Sequence, residues 1–393
     1  MKYKSIEEFL SYYANKNTKN SRKSGLLAFI EFVSSEKRKS GSITEKELVE
    51  FERHLKKYMS IKKRDYYDDL LKFAVYMSSK GIPPLTARAY ISTVREYFGQ
   101  FGIEFSGRQI KDIRNKSPKG GSRTEEDDLT KDIIKQIIQY TDVRGRALFL
   151  TLISTGMRIG ECLQLNLNDL NIKDGKIVIP TILIRGHNTK TGEQRYTFLN
   201  KEAIHTLEAY LLLRERYMET TFKRGGRVIE RKEEYKNRLF PFSDVVALQI
   251  FSTALQKAGL EKFSSSIQRR TFHIHMFRKY FRSQLAVGCP VDVVEALMGH
   301  NGYLTASYRK YTKEQMYEYF QKAEHFLYIN EIDINKLESE YRKELEVSNQ
   351  LLKARIDEIE QQRKKDMALN EDLIKVMIEA RVKEMLKKPE INI

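Results

Sequence analysis

Residues 271–312 read TFHIHMFRKYFRSQLAVGCPVDVVEALMGHNGYLTASYRKYT. Two helices fit this stretch. One runs from His275 to about Val287 and is stopped by Gly288-Cys289-Pro290; the next spans Val291 to Met298. The stretch also carries chemistry: His275 and Arg278 three residues apart, Gly299-His300, and tyrosines at 303, 308, 311 and 317 close behind. Arg278 can hold an anion, the imidazoles can donate or accept hydrogen bonds, and a phenol can act as a nucleophile. His273 precedes His275 by two and points elsewhere on a helix, so only His275 shares a face with Arg278.

Two upstream segments add cations. In STGMRIGECLQL (154–165), Thr155-Gly156-Met157 interrupts an apolar helix and presents Arg158. Glu161, three residues on, suits the positive end of the next helix and is placed to orient that arginine. In NTKTGEQRYTFL (188–199), Lys190-Thr191-Gly192 forms a turn between strands, with Lys190 at its tip. Lys173 and Lys176 flank the preceding hairpin and Arg195 follows this one, which leaves the choice of cation open. Before these strands, NIKDGKIVI alternates apolar residues around Asp174-Gly175, the signal of a tight hairpin, and TILIRG adds a further strand.

Arg158, Lys190, His275, Arg278, His300 and a following tyrosine, in this order and spacing, resemble the tyrosine recombinase (phage integrase) family. The resemblance implies that the arginines clamp a phosphodiester and that Lys190 is the general acid for a 5′ oxygen. His275 and His300 would hydrogen-bond the phosphate, and the tyrosine would form a 3′-phosphotyrosyl link whose stored bond energy lets religation proceed without ATP. No cofactor or metal is implied. Family members commonly place the tyrosine about nine residues after the second histidine. Position 309 is arginine here, which leaves Tyr308 and Tyr311 as contenders; the context GHNGYLTASYRKYT resembles archaeal-type integrases and favours Tyr308, with Tyr311 as the fallback. Fixed guanidinium groups would also lower a phenol from its usual pKa of about 10. A preorganised cation at developing charge contributes about 3 kcal/mol to such chemistry.

Composition fits a nucleic-acid partner. Seventy Lys and Arg against 53 Asp and Glu give a formal charge of +17, an excess that suits a polyanionic partner. The two cysteines, Cys162 and Cys289, stand outside any Cys-x-x-Cys pattern and read as small core residues of an intracellular protein. No apolar run reaches membrane-spanning length and MKYKSIEEFL lacks a signal-peptide core, so a cytoplasmic location and no membrane partner are expected.

The expected fold is mainly α with a small antiparallel β-sheet. Residues 1–106 read as a helical domain similar to the SAM-like core-binding domain of the integrases. Its cues are the Ser5/Glu8 cap, helices through Leu26–Phe32 and Leu48–Leu55, Thr44 and Asp65 as helix starts, and Pro83-Pro84 opening the last helix. Residues 107–125 read as a basic interdomain linker and 126–330 as the catalytic domain, in which Phe222–Arg238 is a basic, mobile insertion. Residues 331–393 read as a charge-dense helical tail, either a long amphipathic helix or a short, imperfect coiled coil through Leu345, Leu352 and Ile359.

The resemblance implies a recombinase that clamps double-stranded DNA and acts as a homo-tetramer on paired sites, the tail being a candidate contact. The long tail points to a mobile-element integrase. A chromosome- or plasmid-dimer resolving recombinase and a type IB topoisomerase-like enzyme share the pocket. A non-catalytic architectural DNA-binding protein would need the cations but no phenol.

Overall fold

The computed structural model describes residues 3–37, 43–121, 125–189, 192–219, 222–224, 227–229, 235–265, 269–300 and 311–330, and in the tail 353, 357, 360, 361, 363, 364, 374–380 and 382. The chain divides into two compact units, one formed by Met1–Glu126 with Phe263–Thr271, the other by Asp127–Lys262 with Phe272–Ile393.

The first unit is helical: α1 (Ile6–Ser11), α2 (Lys16–Ser34), α3 (Glu45–Ser60), α4 (Tyr66–Ser79), α5 (Pro84–Gly99) and α6 (Gly107–Lys116). Side chains start these helices where the sequence supplies them. Ser5 accepts from the Glu8 N–H, Thr44 and Glu47 form a reciprocal cap, and Asp65 accepts from the Asp68 N–H. Four helices meet at Phe29, whose ring sits edge-on to Tyr58, Phe73 and Phe98 with centroids 5.2–5.5 Å away. Gly25 lets α2 and α5 approach, because a Cβ there would lie 3.0 Å from Thr93. The first ten residues of the 107–125 segment, expected as a basic interdomain linker, form helix α6. Ser106 and Gln109 cap it reciprocally and Ile113 is buried against the core. Only Ile110 and Ile113 mark an apolar face there, too little periodicity to stand out among basic and polar neighbours.

The second unit comprises α7 (Lys131–Gln139), α8 (Val143–Thr155), α9 (Ile159–Leu163), strands β1 (Leu170–Lys173), β2 (Lys176–Ile184) and β3 (Arg195–Phe198), α10 (Lys201–Glu219), a hairpin of β4 (Phe222–Arg224) and β5 (Arg227–Ile229), then α11 (Asp244–Lys257), α12 (His275–Leu285), α13 (Val291–Met298) and α14 (Lys313–Ala323). Helix α8 is buried from Ala147 to Thr155 and packs against α10 and α12. A helix hydrophobic on every side belongs in the middle of a core.

The sheet runs β1-β2-β3, antiparallel throughout. Asp174 and Gly175, at φ 50° and 73°, make the β1–β2 turn. KIVIP and TILI join in one strand across Pro180. The β1–β2 register shifts between Leu170 and Asn171, opposite Ile179–Ile182, so the proline falls where no ladder N–H is required. The 222–238 insertion, expected as a loop, contains the β4–β5 hairpin. Two clusters fill the unit: a large one around α8, and a smaller one where Phe198 of β3 meets Phe281, Leu285, Leu297 and Phe320. Both cysteines are buried and unbonded to each other.

Glu202, at the start of α10, is almost fully buried. Its carboxylate accepts from the Ile329 and Asn330 N–H groups at 2.8 and 3.0 Å and from Asn330 Nδ2 at 2.9 Å. It thereby ties down the point from which the tail departs. The described tail residues are helical and exposed. Of the proposed heptad positions, Leu345, Leu352 and Ile359 lie outside the described residues. No helix among the described residues is long and apolar enough to cross a membrane.

Candidate active site

The site is built where α8 ends. Gly156 closes that helix at φ 62°, with its N–H on the Leu152 carbonyl, and turns the chain so that its own carbonyl faces α12. Only glycine fits: besides the left-handed backbone, a Cβ would stand 2.3 Å from Phe281 Cδ1. Arg278, 3 % exposed, donates Nη1 to that Gly156 carbonyl and Nη2 to the Met298 carbonyl at 2.8 Å. One guanidinium therefore joins α8, α12 and the end of α13.

Arg158, two residues beyond Gly156, is 30 % exposed and is held by Glu161. Glu161 Oε2 accepts from the Arg158 N–H and Oε1 from Arg158 Nη1, both at 2.9 Å. The same carboxylate takes Arg195 Nη2 at 2.6 Å, and Arg195 Nε donates to the Leu297 carbonyl at 3.0 Å. Glu161 is 2 % exposed, so it is a buried anion between two guanidinium groups. Burial by itself would raise its pKa; Arg195 and then Arg158 outweigh that and hold it below the usual carboxyl range.

His300 enters through the end of α13. Gly299 adopts φ 70° and the His300 N–H bonds back to the Glu295 carbonyl at 3.0 Å, a glycine-ended cap. The imidazole then lies between Glu295 Oε2, 2.5 Å from Nδ1, and Arg278 Nη2, 2.8 Å from Nε2. His275 is the first residue of α12, on the face of Arg278, with its ring 6.4 Å from that of His273. Desolvation, then Arg278 and the other cations nearby, pull His275 below the ordinary histidine range, so it is neutral at pH 7. Burial, then Arg158, brings Arg278 down to about 10, still cationic at neutral pH.

Of the residues expected from sequence, Arg158, His275, Arg278 and His300 come together. Lys190 and Tyr308 lie outside the described residues. Gly186 lies close against Gly192, since a Cβ on it would stand 2.3 Å from the Gly192 carbonyl oxygen. Tyr311 is 37 % exposed and edge-on to Tyr319 at 5.8 Å; no bond to Arg158, Arg278 or His300 is seen among the described residues. Tyr317 packs on Phe198. The sequence reading weighed Arg195 only as a cation beside the Lys190 hairpin, not as a partner of Glu161. It missed Glu295, which lies five residues before His300, a spacing that becomes a contact only because Gly299 folds the chain back.

Residues 127–318 match the model of the phage integrase family. That stretch, just under half of the chain, carries the similarity to the phage integrase family. Curated relatives carry the name tyrosine recombinase. Tyrosine recombinase XerA of Pyrococcus horikoshii is 24 % identical over 257 residues, covering 65 % of this chain and 79 % of that protein. Tyrosine recombinase XerD of Mycobacterium tuberculosis is 30 % identical over 173 residues, 42 % of this chain and 46 % of that protein. A solved structure of the Tn1549 transposon integrase in complex with transposon right end DNA aligns over 81 % of this chain and 99 % of that chain, at 17 % identity and a TM-score of 0.46. In this chain the cationic group is assembled from the α8–α9 corner, β3, α12 and the end of α13.

Proposed function

We propose that this chain is the site-specific recombinase of a mobile element, cutting and rejoining double-stranded DNA through a 3′-phosphotyrosyl intermediate without metal or ATP. The observation that carries the reading is the convergence of Arg158 and Arg278 at the Gly156 corner, with His275 and His300 beside them. Two guanidinium groups fixed by Glu161 and by backbone carbonyls are preorganised to bind the non-bridging oxygens of one phosphodiester. In this reading Tyr308, or Tyr311 in its place, attacks phosphorus, and the 5′ oxygen leaves with a proton from Lys190. A 5′ hydroxyl from a second duplex then displaces the tyrosine, so no ATP is needed. A homo-tetramer on two paired sites performs the exchange in the cytoplasm. The charge of +17 supports a DNA partner and the 331–393 tail supports the mobile-element reading.

The test is a set of nicked suicide duplexes tiled across the DNA flanking the coding sequence, incubated with the full chain without divalent metal and run on a denaturing gel. A covalent protein–DNA adduct is expected, lost in Tyr308→Phe and kept in Tyr311→Phe. The opposite pattern transfers the nucleophile to Tyr311. Specific binding without any adduct would overturn the enzymatic reading in favour of an architectural one.

A further inference from the structure

We infer that Glu295 and His300 form a carboxylate–imidazole pair in which Glu295 is a positioning residue and His300 takes the phenolic proton during strand cleavage. This rests on the phosphotyrosyl reading above.

Hydrogen-bond chemistry fixes the state of the ring. A carboxylate only accepts, so the proton between Glu295 Oε2 and His300 belongs to Nδ1; a guanidinium only donates, so Nε2 turns a lone pair toward Arg278 Nη2. The ring is thereby held in one orientation, with Nε2 on the side of the phosphate-binding arginines. The carboxylate is itself pinned: Glu295 Oε1 accepts from Arg282 Nε at 2.5 Å, one turn along α12 from Arg278. Burial works to raise the Glu295 carboxyl, yet the bonds from His300 and Arg282 keep it below its ordinary range, and it stays an anion. The His300 side chain is 38 % exposed, so an incoming group can reach it.

Charge explains why an anion is needed there. The groups around His300 are Arg278 from α12, Glu295 from α13 with Arg282 behind it, and Arg195 from β3, packed under Gly299. Arg158 and Glu161 stand beyond Arg278. Arg158 and Arg195 both bond the Glu161 carboxylate, and Arg278 lies within its field. A proton arriving on His300 adds a further cation, and among the described residues Glu295 is the carboxylate in contact with the ring to offset it.

The step balances as follows. When a phosphate enters, Arg278 redirects its Nη2 N–H to a phosphoryl oxygen and releases Nε2. The phenolic proton moves to Nε2, the phenolic oxygen forms its bond to phosphorus, and the bond from phosphorus to the 5′ oxygen breaks. That oxygen takes its proton from Lys190. On rejoining, the incoming 5′ hydroxyl returns a proton to Lys190, and the departing phenolic oxygen recovers its own from Nε2.

Single-turnover cleavage of the suicide duplex by the full chain, measured from about pH 5.5 to 9.5, tests the pair. Glu295→Gln keeps an acceptor for Nδ1–H and removes the charge. Its cleavage rate at pH 7 is expected to fall about 100-fold, with the acid limb of the pH–rate profile moved to lower pH, since the imidazole loses the anion that makes it basic. DNA affinity at fixed salt should stay within about threefold, and Glu295→Asp should recover part of the rate. If wild type forms the adduct while Glu295→Gln keeps the wild-type rate and acid limb, the pair is wrong and the phosphotyrosyl reading stands. A variant that loses affinity and folding together with rate, with no shift of the limb, also overturns the pair, as a structural contact only. Absence of an adduct with wild type removes the reading on which the pair rests.

Discussion

Replacing Glu161 by Gln removes one negative charge from a place where water cannot substitute for it. The carboxylate is 2 % exposed and receives Arg158 N, Arg158 Nη1 and Arg195 Nη2 at 2.6–2.9 Å. A carboxamide offers one oxygen and turns an NH2 toward a donor, so at least one of these bonds becomes a donor–donor contact. Arg195, 9 % exposed, is left as a buried cation without a paired carboxylate among the described residues. Removing one partner of a buried pair costs about 3–5 kcal/mol. Arg158, 30 % exposed, regains some hydration and brings the expectation to about 3 kcal/mol. With a urea slope of about 2–3 kcal/mol/M, the midpoint drops by about 1 M with the slope unchanged. Urea titration followed by far-UV circular dichroism at pH 7 measures this. The sign with pH follows from the depressed Glu161 carboxyl: its stabilisation is full above the ordinary carboxyl range and lost as pH falls through the lower folded-state value. The gap between wild type and variant should therefore be constant from about pH 5.5 to 8 and close in acid. A midpoint shift below about 0.3 M at pH 7 would refute the view that this anion holds the two arginines in place.

Gly156→Ala places a Cβ against Phe281 on a left-handed backbone, and a loss of about 2–3 kcal/mol is expected in thermal or urea unfolding; a neutral result would mean the corner can relax. Adduct formation should fall with it, because the Gly156 carbonyl anchors Arg278. Glu202→Gln weakens an acceptor that serves three donors, so amide exchange at Ile329 and Asn330 should quicken while the α8 core keeps its protection. Equal protection in both proteins would show that the root of the tail is held by packing alone.

The sequence by itself determined the class of the molecule and most of its local structure. Helix starts at Ser5, Thr44 and Asp65, the Asp174-Gly175 turn and the stops near Gly288 and Gly299 are decided by backbone and side-chain chemistry within a few residues, which is why they can be read one segment at a time. Order and spacing also nominated Arg158, His275, Arg278 and His300, since an arginine next to a glycine corner and a histidine three before an arginine leave a local mark. Other features depend on elements far apart in the chain. Glu161 could be linked to Arg158 by spacing, but its sharing with Arg195 needs α9 and β3 to meet over the end of α13. Glu295 reaches the His300 ring only because Gly299 reverses the chain, and α6 is helical because Ile113 finds a core to bury in. Tertiary structure alone decided these, because a buried charge takes its meaning from the partners that fold around it, and those come from distant sequence.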